Sequence, residues 1–168
     1  YFLNGYTAKV AGTEMGIHEP EATFSSCFGA AFLVHHPSTY SHMLADKMKR
    51  FETNAWLINT GWTGGGFGEG SRISLRNTRA IINAIHSGVL AGIPTCTEPV
   101  FGLAIPESVP DCSDDILIPR ATWKDPQKYD AAAVTLVERF HANFAQYIDE
   151  VDPRVVAAGP SVQLRKTG

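Results

Sequence analysis

Apolar side chains recur at helical spacing in three segments of the chain. The first segment predicts a helix over residues 38–51, capped by Ser38, with apolar positions at Tyr40, Leu44, Met48 and Phe51. The second predicts a helix between the cap Ser74 and Gly88, with an apolar face of Thr78, Ile81, Ile82 and Ile85. The third predicts a long helix over residues 125–149, started by Asp125-Pro126, with an apolar face of Ala133, Val134, Val137, Phe140, His141, Phe144 and Ile148.

Two shorter apolar runs lack this spacing and predict strands. Residues 55–59 end just before Gly61 and are typical of a strand buried on both faces of a sheet. Residues 100–105 predict a second strand within a proline-rich stretch. Residues 1–29 are rich in Gly, Thr and Ser, and a loop of this length is usually either functional or disordered, so we expect that the segment includes a lid. The pattern as a whole predicts a mixed α/β fold with one domain's worth of core.

Composition narrows the class of protein further. The 168 residues carry a net charge of -3, with 44% hydrophobic and 18% charged residues, as is ordinary for a globular protein. The basic residues are scattered, which disfavours a nucleic-acid binder, and no apolar run approaches the length of a membrane span. Cys27, Cys96 and Cys112 lie far apart, so we expect reduced thiols rather than disulfides or a zinc site. The opening Tyr1-Phe2-Leu3, without Met, reads as though it began within a longer chain.

The glycine-rich run from Gly61 to Gly70 invites comparison with phosphate loops, because it is predicted to join a strand to a helix. Gly65 and Gly70 have the spacing of a Walker A loop, but Ser71-Arg72 stands where a lysine is required. The dinucleotide pattern fails as well. A flexible connection and a nucleotide site that uses Arg72, Arg79 and Thr78 both stay open. No nucleophile elbow, paired catalytic carboxylate or metal-ligand spacing stands out elsewhere.

Six segments together resemble the ATP-dependent phosphoenolpyruvate carboxykinase family. They appear in the family's order and span nearly the whole chain: Gly5-Tyr6-Thr7-Ala8-Lys9, Ala11-Gly12-Thr13-Glu14, Thr23 to Ala30, Leu57 to Trp62, Arg72-Ile73-Ser74 with Thr78 to Ile82, and Ala157-Ala158-Gly159-Pro160. The resemblance implies that the chain is the final third of a longer polypeptide. It also implies the latter part of a C-terminal, mononucleotide-binding α/β domain, with a mixed sheet and flanking helices. One departure is Ser71, which stands where a lysine commonly precedes the arginine.

The resemblance also implies a function. The family converts oxaloacetate and ATP to phosphoenolpyruvate, ADP and carbon dioxide with Mg²⁺ and Mn²⁺, in gluconeogenesis and in the cytoplasm. It implies that Arg72, Ile73 and Thr78 contact the nucleotide, that residues 55–88 carry the adenosine site, and that residues 11–27 form a mobile lid. The family's phosphate loop, metal ligands and catalytic residues precede Tyr1, so the remainder of the enzyme chain is an expected partner and no catalytic or metal-binding residue is expected here. A non-catalytic nucleotide-binding module, or a structural module derived from the enzyme, is the alternative.

Overall fold

The structure is a computed structural model that describes residues 1–9 and 21–162. The predicted mixed α/β class is confirmed, since helices alternate with short strands along the described chain. Five α-helices are present in this part: α1 Pro37–Phe51, α2 Leu75–His86, α3 Pro119–Thr122, α4 Pro126–Phe144 and α5 Pro153–Ala157. The strands are β1 Tyr6–Lys9, β2 Glu21–Phe24, β3 Trp62–Thr63, β4 Ser71–Arg72, β5 Thr95–Thr97 and β6 Ala104–Pro106. None of the described helices is both long and apolar enough to cross a membrane.

The strands pair as three separate two-stranded antiparallel sheets, β1 with β2, β3 with β4 and β5 with β6. In the first sheet Tyr6 lies opposite Phe24 and Lys9 opposite Glu21. Residues 10–20, between these two strands, lie outside the described residues, and they include most of the predicted lid. Each sheet is therefore a hairpin of two consecutive strands.

The helix predictions hold closely, with one correction at a cap. α1 is capped by His36, whose Nδ1 accepts from the Ser38 backbone N–H, whereas Ser38 itself lies inside the first turn. Pro37 occupies the first helical position, where its missing N–H costs nothing. The cap is therefore the residue before the proline, His36, and not the predicted Ser38. Ser74 caps α2 as predicted, because its Oγ accepts from the Asn77 N–H at 3.1 Å. α4 starts at Pro126 as predicted, but it ends at Phe144 and gives way to a 3-10 segment over Ala145–Glu150.

Two strand predictions are wrong in this structure. Residues 55–59 form no strand, because no neighbouring strand among the described residues offers them a ladder of hydrogen bonds. Only the end of the predicted strand over 100–105 is part of one, in β6. Its first residues form a turn because the Glu98 carboxylate accepts the backbone N–H groups of Val100 and Phe101. Local polar capping prevents extended pairing there.

The described chain divides into two compact units, residues 1–55 with 138–159 and residues 56–137 with the final residues from 160. In the first unit the rings of Tyr1, Tyr6 and Phe24 surround the buried Phe140. In the second unit the cluster comprises Ala84, Leu90 and Val109, with partly buried neighbours Trp56, Ile81, Ile85, Ile93, Cys112 and Leu117. The fully buried residues of α2 are Ala80 and Ala84. Ile81 and Ile85 on the same helix are only partly buried.

Candidate functional site

The glycine-rich run forms the connection of a β-hairpin. Trp62 lies opposite Arg72 and Thr63 opposite Ser71, and residues 64–70 join the two strands. At Gly70 a Cβ atom would lie 2.4 Å from the Gly65 carbonyl oxygen and 2.6 Å from that of Thr63. The backbone is too close there for any other residue, which accounts for glycine at this position. The run is thus a specified turn, and neither a flexible connection nor a strand-to-helix phosphate loop describes it.

Few polar contacts hold this hairpin in the second unit. The Gly64 N–H donates to Thr122 Oγ1 at 2.9 Å. The Lys128 ammonium lies 3.3 Å from the Glu69 carboxylate, and both side chains are exposed, so the pair contributes little. The short hairpin therefore depends mainly on its own backbone geometry.

Arg72 lies on the exposed surface of this hairpin and stacks on its cross-strand neighbour. The guanidinium carbon lies 5.1 Å from the centroid of the Trp62 ring, which is cation–π geometry. No carboxylate pairs with Arg72 among the described residues. One face of the guanidinium is therefore held by the indole, while the exposed side chain keeps capacity for a further planar or anionic group. The sequence reasoning missed Trp62, although a tryptophan just before a glycine-rich turn is a signal for such a cross-strand pair.

Ile73 and Thr78 follow at the start of α2. The Ile73 N–H donates to the Gly61 carbonyl at 2.9 Å, which fixes the path from the hairpin into the helix. The Thr78 N–H donates to the Ser74 carbonyl, so Thr78 belongs to the first turn, and both side chains are half-buried. The structure thus places Arg72 and Ile73 side by side in the chain and Thr78 one helical turn further along.

Two open grooves in the described part of the chain lie elsewhere on α2. The larger groove runs between α2 and the segment around Asp111, and its helix residues are Arg76, Arg79, Ala80, Asn83, Ala84 and Ser87. On a helix with 3.6 residues per turn, Thr78 is rotated about 200° from Arg76. Neither this groove nor the smaller one beside it includes Arg72, Ile73 or Thr78. Arg79, a candidate at the level of sequence, therefore belongs to a different surface from Arg72.

Glu98 is a buried carboxylate that the sequence reasoning did not single out. Its carboxylate accepts hydrogen bonds from the backbone N–H groups of Val100 and Phe101, and it is also hydrogen-bonded to Tyr129. Burial, together with the negative charges of Glu98 and Asp130, raises the pKa of Tyr129 to about 12. With its partners all internal to the fold, this cluster shapes the turn at residues 99–101 and offers no open position to a ligand.

The described part of the chain does not fit a resident metal ion. Within residues 1–9 and 21–162, no three His, Cys, Asp or Glu side chains gather as metal ligands. All three cysteines are free, and burial raises the pKa of the Cys27 and Cys112 thiols, which disfavours the nucleophilic thiolate.

Comparisons with known proteins give the chain a family. The family model described as phosphoenolpyruvate carboxykinase matches residues 1–115. The chain is 55% identical over 163 residues to phosphoenolpyruvate carboxykinase (ATP) 2 of Salinibacter ruber, covering 97% of this chain and 31% of that relative. It is 52% identical over 160 residues to phosphoenolpyruvate carboxykinase (ATP) of Dictyostelium discoideum, covering 95% and 28% respectively. A Sinorhizobium fredii relative of the same name is 52% identical over 164 residues, covering 98% and 31%.

Fold and site therefore define a mixed α/β protein that presents an exposed arginine at the junction of a glycine-rich hairpin and a helix. The chain belongs to the phosphoenolpyruvate carboxykinase family. It spans about a third of the length of the curated relatives that it matches.

Proposed function

We propose that this chain is part of an ATP-dependent phosphoenolpyruvate carboxykinase. In the proposed reaction oxaloacetate loses carbon dioxide and forms an enolate. The enolate oxygen then attacks the γ-phosphorus of ATP, and ADP leaves as phosphoenolpyruvate forms. The observation that carries the proposal is the 55% identity to a protein named for this activity, over 97% of the chain. By the same resemblance we assign the enzyme to gluconeogenesis in the cytoplasm.

Within that enzyme, the proposed role of residues 55–88 is to bind the adenosine part of ATP. The guanidinium of Arg72 would stack on the base or bind a phosphate oxygen, with Trp62 behind it. Ile73 would supply an apolar wall, and the hydroxyl of Thr78 would hydrogen-bond the ribose or base. The exposure of Arg72 and the stack that limits its rotation both support this role. A side chain already held in place loses less entropy when it binds a ligand.

Residues 11–27 have the proposed role of a lid that closes over the substrates. Excluding water would protect the enolate from protonation to pyruvate before it is phosphorylated. Residues 11–20 of this segment lie outside the described residues, and residues 21–24 pair with β1.

The reaction is proposed to use Mg²⁺ and Mn²⁺, with ligands contributed by the rest of the enzyme chain. Divalent ions neutralise charge on a phosphoryl group during its transfer. The proposed contribution of this chain itself is nucleotide binding and the exclusion of water.

The test is an activity measurement on a completed chain, built by replacing the matched region of the Salinibacter ruber relative with this chain. We expect it to form phosphoenolpyruvate from oxaloacetate and ATP, and the 168-residue chain alone to form none. Absence of product with a folded, completed chain would refute the carboxykinase proposal. Product formation by the 168-residue chain alone would refute the proposal that the rest of the enzyme chain supplies the metal ligands and catalytic residues.

A further inference from the structure

The sequence contains one Asn-Gly pair, Asn4-Gly5, and pairs of this kind are chemically reactive. Glycine has no side chain that shields its backbone nitrogen. When that nitrogen loses its proton, it attacks the side-chain carbonyl carbon of the preceding asparagine. A new C–N bond closes a succinimide ring, and the side-chain nitrogen leaves as ammonia. Water then opens the ring to aspartate or to isoaspartate, and no atom is oxidised or reduced.

Both reacting groups of this pair are engaged in hydrogen bonds. The Gly5 N–H donates to the Tyr1 carbonyl at 3.0 Å, which favours the protonated, unreactive nitrogen. Asn4 is 3% exposed, and its Oδ1 accepts from Nδ2 of Asn143 on α4 at 2.6 Å. An Asn4 amide that turns onto the Gly5 nitrogen gives up this buried hydrogen bond, which is costly. The fold therefore opposes the reaction at both atoms.

The surroundings of Gly5 have no room for either product. Gly5 has a φ of 56°, and its carbonyl accepts from the Ser25 N–H at 3.0 Å. A Cβ atom on Gly5 would lie 1.7 Å from the Ser25 carbonyl oxygen, so the two backbones are in close contact. Isoaspartate adds a carbon atom to the main chain just before this contact. Aspartate places a charge on a buried side chain. Both products therefore disturb the start of the β1–β2 hairpin.

The other asparagines of the chain show the opposite combination of burial and reactivity. Three of them are exposed, and each is followed by a residue with a side chain: Asn54, Asn59 and Asn83. The asparagine with the most reactive neighbour, Asn4, is the buried one. We infer that Asn4-Gly5 is a deamidation site that Asn143 keeps closed in the folded chain. The inference rests on contacts within the first unit and is independent of the proposed function.

Peptide mass spectrometry of the completed chain tests the inference, because deamidation converts an amide into a heavier acid. The chain is incubated at mildly alkaline pH, both native and in denaturant, and the product at Asn4 is followed with time. A protected group reacts through local opening, so we expect native Asn4 to react at least about 100-fold more slowly than denatured Asn4. The exposed Asn54 is the control and should react at similar rates in both states. Equal rates at Asn4 in the two states would overturn the inference.

A pair of variants on neighbouring positions tests the role of Asn143. Asn143→Ala removes the donor to Asn4, and we expect native deamidation to become about 10-fold faster or more. Gln146→Ala is the control, because Nε2 of Gln146 donates to the Asn143 carbonyl at 2.8 Å, so its loss should leave the rate unchanged. An unchanged or slower reaction in Asn143→Ala would overturn the inference, and a slower one would mean that the hydrogen bond activates the Asn4 carbonyl group. Equal acceleration in both variants would contradict it as well.

Hydrogen exchange of the β1–β2 amides separates local closure from loss of the fold. Faster deamidation of Asn4 in Asn143→Ala, with unchanged protection of this hairpin, supports the inference. If Asn143→Ala loses the protection, Asn143→Leu takes its place, because leucine keeps the approximate volume of the side chain without the donor. The same outcomes then decide, and the comparison of native and denatured chains needs no variant.

Discussion

The β1–β2 and β3–β4 hairpins of this chain are stabilised in opposite ways. In the β1–β2 hairpin four residue pairs lie in register, and its Tyr6 and Phe24 rings lie 5.6 Å and 5.4 Å from the ring of Phe140. In the β3–β4 hairpin only two pairs lie in register, and close backbone approach at Gly70 and a hydrogen bond to Thr122 maintain the turn.

The difference shows how a chain can fix a segment and still leave its side chains available. Packing between aromatic rings stabilises the first hairpin, but rings that are packed against each other are not available to bind a ligand. Backbone geometry specifies the second hairpin with little burial, so Arg72 keeps an exposed guanidinium above Trp62. A ligand-binding role is therefore compatible with the second hairpin.

Truncating the aromatic cluster should have the largest effect. Phe140 is 4% exposed and contacts three other rings, so Phe140→Ala should destabilise the first unit by about 3–5 kcal/mol through lost burial and a cavity. The measurement is loss of hydrogen-exchange protection of the β1–β2 amides. Phe67→Ala is the control: this side chain is 53% exposed and contacts one ring, that of Trp62, edge-on, so the change should cost about 1 kcal/mol or less. Similar losses from both variants would remove the proposed contrast between the hairpins.

Adding a methyl group to the second hairpin should have the next largest effect. Gly70→Ala would force Cβ against two carbonyl oxygens, whereas a Cβ atom at Gly66 would meet nothing within 4 Å. We expect Gly70→Ala to destabilise the hairpin by roughly 1–3 kcal/mol and Gly66→Ala to be neutral or slightly stabilising. Protection of the Ile73 amide, which donates to Gly61, reports the result. Tolerance of Gly70→Ala would mean that the connection is flexible after all.

Removing the polar support of that hairpin should have a smaller effect. Thr122→Val keeps the shape of the side chain but removes the acceptor of the Gly64 N–H and the donor to the Pro119 carbonyl, so the expected cost is about 1–2 kcal/mol. Faster exchange of the Gly64 amide, with β1–β2 unchanged, is the expected observation. An unchanged Gly64 amide would show that this hydrogen bond does not hold the turn.

The smallest effect concerns alkaline pH. Because the pKa of Tyr129 is raised to about 12, its contribution to stability is complete below pH about 10 and is lost as the pH rises toward about 12. Ultraviolet absorbance should show tyrosinate formation at high pH that is lost in Tyr129→Phe. Ionisation of every tyrosine near the ordinary pKa would contradict the buried contact with Glu98.

The sequence predicts the helices well because their signals are local. The apolar spacing that predicts a helix over 38–51 and the cap at Ser74 recur in α1 and α2 almost unchanged. Strand pairing is not local, so residues 55–59 carry a strand pattern without a partner strand among the described residues. The stack of Arg72 on Trp62 becomes visible only once the hairpin register is known. The roles of Arg72, Ile73 and Thr78 come from the family resemblance and stay predictions.

The nucleotide-binding role of Arg72 is tested by the affinity of ATP for the completed chain, measured by isothermal titration calorimetry for Arg72→Ala and Arg50→Ala. Arg50 is a matched control, because its guanidinium carbon also lies over an aromatic ring, 5.3 Å from the centroid of Phe51. We expect Arg72→Ala to weaken ATP binding roughly 10-fold or more and Arg50→Ala to leave it unchanged. Unchanged affinity in Arg72→Ala, or an equal loss in both variants, would contradict that role.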